Sequence, residues 1–69
     1  MRLSARNQLP GTVIEVHDGA VTTTVKVRLE GGATMTSSIT KEAVQELGIA
    51  EGSAVTVVVK ASDVVLGVD

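Results

Sequence analysis

The chain has 69 residues, a formal net charge of −2 and no cysteine. That bounds it to a single domain, residues 1–69, without disulfides or thiolate metal sites. The acidic balance and the lack of any Phe, Tyr or Trp argue against a nucleic-acid partner, which calls for basic surface and aromatic stacking platforms.

The first eight residues after Leu3, "SARNQLPG" (Ser4 to Gly11), show neither a strand nor a helix period. From Gly11 the pattern becomes β-like. Thr12, Ile14 and Val16 alternate with Val13, Glu15 and His17 up to the turn signal at Asp18 to Ala20. In the next segment Val21, Thr23, Val25, Val27 and Leu29 share one face, opposite Thr22, Thr24, Lys26 and Arg28. This is the period of 2 of a half-buried strand. Glu30 to Gly32 turn the chain. A third strand, Ala33 to Thr40, sets Ala33, Met35, Ser37 and Ile39 against a hydroxyl-rich face of Thr34, Thr36 and Ser38.

One helical stretch follows. Thr40 is its expected N-cap, and Ala43, Val44 and Leu47 lie on one side. Gly48 stands at the C′ position, with Ile49 placed for the apolar contact of a Schellman end. After the turn at Ala50 to Ser53, "AVTVVVKA" (Ala54 to Ala61) carries the strongest strand signal, and a short last strand is expected around Val64 to Val68. Three strands, a helix and two strands predict an all-β, five-stranded OB-like barrel with one short helix between strands 3 and 4.

So short a chain is marginal alone. With no disulfide to help, its many valines are expected to meet another subunit in a homo-oligomer. No apolar run approaches the ~18 residues of a membrane span, and no signal-type apolar region opens the chain. A cytoplasmic location without a membrane partner is expected.

Nothing in the sequence composes an enzyme. Its one histidine, His17, sits beside a turn, and the carboxylates are scattered without metal-ligand spacing. There is no phosphate-loop motif. Binding remains. Of the six cations, Lys26, Arg28 and Lys41 read as solvated surface charge. Arg6 and Lys60 lie instead among small residues, Ser4, Ala5 and Asn7 around one, Ala61 and Ser62 around the other. Small neighbours leave backbone N–H groups open, and a cation with N–H and hydroxyl donors suits an anion.

The pairing of "SARNQLPG" with the late "VVVKASDVVLGV" resembles the molybdate-binding molbindin (Mop) family, and the likeness runs from Ser4 to about Val68. It implies an OB-like barrel assembled as a hexamer, a trimer of dimers, with oxyanions at subunit interfaces. Molybdate or tungstate is then the ligand, and storage or buffering the role. The alternative is a regulatory or assembly module of the same fold, since related copies serve as ligand domains of regulators and transport ATPases.

Carried over, the resemblance implicates Ser4 through its hydroxyl, Ala5 and Ala61 through backbone N–H groups, and Arg6 and Lys60 through charge-assisted bonds, the two cations possibly coming from different subunits. Ala61 departs from relatives that carry Ser there, which removes one hydroxyl donor. The hydroxyl pairs Thr22/Thr24 and Thr36/Ser38 are candidates for the family's second kind of anion site.

Overall fold

A computed structural model describes residues Met1–Asp69. Four strands form one antiparallel sheet: β1 (Asn7–Asp18), β2 (Thr22–Leu29), β3 (Thr34–Thr40) and β4 (Ala54–Val59), in the order β3-β2-β1-β4. The helix α1 (Lys41–Leu47) joins β3 to β4, and a single 3₁₀ turn, Ala61–Asp63, follows β4.

β1 organises the sheet. It is 12 residues long and changes partners midway. Asn7 to Thr12 pair with β4, and Gly11 to Asp18 pair with β2. The strand therefore begins at Asn7, and Pro10 lies inside it. β1 pairs there on the β4 side alone, because its β2 partners start only at Gly11. A half-paired stretch is where a missing N–H is tolerated.

At Gly11, where both ladders overlap, the backbones crowd. A Cβ built there would come within 2.6 Å of Val27 Cγ1 and 2.7 Å of the Arg28 carbonyl oxygen. Gly11→Ala should therefore lower stability by about 1–3 kcal/mol, as other overpacked sites do. Denaturant unfolding measures it, and an unchanged midpoint would show that this crossing gives way freely.

The register of β1 against β2 slips between Val13 and Glu15. The extra residue, Ile14, is a bulge that turns Val13 and Val16 to the same side. Val13, Val25 and Val27 form the buried core, and Val16, Leu29, Ile39, Val44, Ile49, Val55 and Val57 pack around it. Thr23 is also buried, and its hydroxyl donates to Asp18 Oδ1 at 3.1 Å, so no lone polar group is stranded.

The helix ends behave as the sequence implies. Thr40 Oγ1 accepts the Ala43 N–H at 3.1 Å. Gly48 takes the left-handed conformation (φ 62°), with Gly48 N–H donating to the Gln45 carbonyl and Ile49 N–H to that of Val44. Val44 and Ile49 reach the core, but Leu47, on the same side as Val44 in the sequence reading, is 71% exposed.

The fifth strand does not form. Past β4 the chain makes the 3₁₀ turn, and beyond Val64 no backbone group is hydrogen-bonded. A strand exists only with a ladder partner, and this segment pairs with none of the four strands. Val65, Leu66 and Val68 are left 91%, 89% and 99% exposed. The architecture is a curled, four-stranded half-barrel with open edges, in which only 4 of 69 residues are buried. No helix is long and apolar enough to cross a membrane.

Candidate anion-binding site

The two halves of the candidate site meet at one end of the β1·β4 ladder. Its last pair is Asn7 with Val59. Arg6 and Lys60 are the residues immediately beyond that last pair. One chain therefore brings both cations to one edge. Ser4, Arg6, Lys60 and Ala61 are exposed and Ala5 is half-buried.

The chain around them is shaped by local hydrogen bonds. In the 3₁₀ turn, Asp63 N–H donates to the Lys60 carbonyl at 2.9 Å and Val64 N–H to that of Ala61 at 3.2 Å. Such a turn uses its carbonyls and leaves the N–H groups of its first residues free for another acceptor. On the opposite side, Gln8 Nε2 donates to the Ala5 carbonyl at 3.2 Å. Asn7 Nδ2 donates to the Val59 carbonyl at 3.3 Å and bridges the two strands. Neither amide was singled out from the sequence, and nothing there marks Asn7, whose partner lies 52 positions away.

Neither site cation is ion-paired, although Asp63 lies in the adjoining turn. Both ion pairs of the chain involve Glu15, with Lys26 Nζ at 3.5 Å and His17 Nδ1 at 4.0 Å. Arg6 and Lys60 pair with no carboxylate. Arg2, Arg28 and Lys41 are unpaired too, so it is the shared position of Arg6 and Lys60 next to the ladder end, not their lack of partners, that sets this edge apart.

The principal clefts lie elsewhere. One, about 720 Å³, runs along the middle of β1 between Pro10, Ile14, Arg28 and Thr56. A second lies between α1 and the end of β1. None of the three principal clefts includes Ser4, Ala5, Arg6, Lys60 or Ala61. The hydroxyl pairs also come together. Thr24 stands opposite Ser38, Thr22 opposite Thr40 and Lys26 opposite Thr36 on the outer face of β2 and β3. No group of three or more His, Cys, Asp or Glu side chains is placed to hold a metal ion.

The four-stranded half-barrel with one short helix is a fold shared with known proteins. Residues 3–66 match the model of the TOBE domain family. "Molybdenum-pterin-binding protein 2" of Clostridium pasteurianum is 46% identical over 66 residues, covering 96% of this chain and 97% of that protein. Among solved structures, MopII from Clostridium pasteurianum superposes with a TM-score of 0.92 at 43% identity, over 97% of this chain and 100% of that one. The cytoplasmic molybdate-binding protein ModG, with molybdate bound, gives 0.96 at 52% identity, over 100% of this chain and 49% of that one. The chain belongs to the TOBE domain family and, within it, to the molbindins.

Proposed function

We propose that this protein binds molybdate or tungstate at the β1·β4 ladder end and acts as a cytoplasmic oxyanion store or buffer, without catalysing a reaction. The observation that supports this reading is that the β1·β4 ladder ends at Asn7 and Val59, the residues next to Arg6 and Lys60 in the chain. Both anions are tetrahedral dianions whose oxygens only accept hydrogen bonds. Two cations balance the charge, and the Ser4 hydroxyl with the Ala5 and Ala61 N–H groups completes a shell of donors. Molybdate and tungstate are nearly equal in size, so the same donors serve both. The relative solved with molybdate bound, 52% identical to this chain, supports the ligand class.

An edge open to water binds an anion weakly, because solvent screens exposed charges. The site therefore requires a cover, and the chain carries an argument for one. Its exposed apolar tail, Val64 to Val68, has no partner, while the outer edges of β3 and β4 are unpaired. We place the tail against a second copy, where it would supply the missing fifth strand and close the site at a subunit interface. A homohexamer, a trimer of dimers, is the assembly we assign. The rival reading, a regulatory or assembly module, draws on the chain matching 24% of the longer "Molybdenum transport protein ModE" of Herbaspirillum seropedicae at 48% identity.

Isothermal titration with molybdate, tungstate, sulfate and phosphate tests the ligand. Molybdate and tungstate should bind far below millimolar concentration, and the smaller sulfate and the phosphate more weakly. If all four bind only at millimolar levels, the reading is wrong.

A further inference from the structure

We infer that Asn7 and Gln8, adjacent in sequence, are positioning residues that each fix the peptide leading into one of the two site cations. The inference rests on the anion-site reading above.

The peptide bond is planar, and the chain contains no cis peptide. In a trans peptide, holding the carbonyl of one residue fixes the direction of the next residue's N–H, which points the opposite way. Asn7 Nδ2 holds the Val59 carbonyl at 3.3 Å. That carbonyl belongs to the peptide between Val59 and Lys60. Gln8 Nε2 holds the Ala5 carbonyl at 3.2 Å. That carbonyl belongs to the peptide between Ala5 and Arg6. Two consecutive amide side chains thus set the planes from which Arg6 and Lys60 depart.

The position makes this useful. The regular ladder stops at Asn7 and Val59, so backbone pairing no longer holds the strands where the cations begin. The half-buried Asn7 side chain supplies a further link across them at that point. The side-chain type suits the task as well. An amide donates without carrying charge, whereas a carboxylate of the same shape would lose the donor and place a negative charge beside a dianion.

Asn7→Ala and Gln8→Ala in the assembled full-length protein test the inference, with backbone ¹⁵N relaxation in the anion-free state and molybdate titration as paired readouts. Asn7→Ala should lower the order parameter of the Lys60 amide and leave that of Arg6 unchanged, and Gln8→Ala should do the reverse. The core amides of Val13, Val25 and Val27 should stay as in wild type, which a merely destabilised protein would not show. Molybdate affinity should fall about tenfold for Asn7→Ala, the worth of one hydrogen bond, and less for the exposed Gln8→Ala. Unchanged order parameters, or wild-type affinity in both variants, overturn the inference. If the wild type itself binds no oxyanion, the site reading falls, and relaxation alone still decides whether the two amides hold these peptides.

Discussion

Replacing either site cation should cost most of the affinity and little of the fold. Arg6→Ala and Lys60→Ala are each expected to weaken molybdate binding by roughly 2–4 kcal/mol, about 30- to 1,000-fold in Kd, the range seen when one partner of a desolvated, hydrogen-bonded charge pair is truncated. Arg6 is the more demanding position, because its planar fork can grip two oxygens at once while lysine acts as a point charge. Thermal unfolding of the anion-free variants should match wild type, since both side chains are exposed and neither is ion-paired. Titration calorimetry checks the first part and a melting curve the second. Variants that bind as wild type does would remove these residues from the site.

The second large effect is expected at the other end of the chain. Leu66 is 89% exposed and lies in an apolar segment without hydrogen bonds. If that segment packs on a second copy, Leu66→Asp removes about 2–3 kcal/mol of burial per chain and places an unpaired carboxylate in an apolar interface. Light scattering should show the assembly falling to monomers, and the melting temperature should drop because only four residues are buried within one chain. A wild-type protein that is itself monomeric would refute the assembly, and with it the cover proposed for the anion.

These two effects fall where sequence and structure part company in instructive ways. β2, β3 and the helix ends were legible because their signals are local. Alternation set Thr23, Val25 and Val27 inward, and Thr40 and Gly48 marked the helix by cap chemistry alone. The inner face of β1 was not legible. Its alternation places Val13 and Val16 on opposite sides, and the bulge at Ile14, which has no glycine to announce it, brings both to the core.

The start of β1 was hidden for a different reason. Asn7, Gln8 and Pro10 have little strand character, and they are extended because β4 offers a partner. The reverse holds at the C-terminus, where Val64 to Val68 have strand character and no partner in the chain. Pairing decided both cases, and pairing is a long-range property. The candidate site divides along the same line. The chemistry of Arg6 and Lys60 could be read from their small neighbours, but that both segments reach the same ladder end is a consequence of the β1·β4 register.

The account turns on where the anion sits, and a crystal grown with molybdate locates it by the anomalous signal of molybdenum. The account predicts a peak within hydrogen-bonding reach of Arg6 and Lys60 of one chain, beside the Asn7–Val59 end of the ladder and covered by a second copy. A peak elsewhere with this edge empty, or an anion held here without contact to either cation, would contradict it.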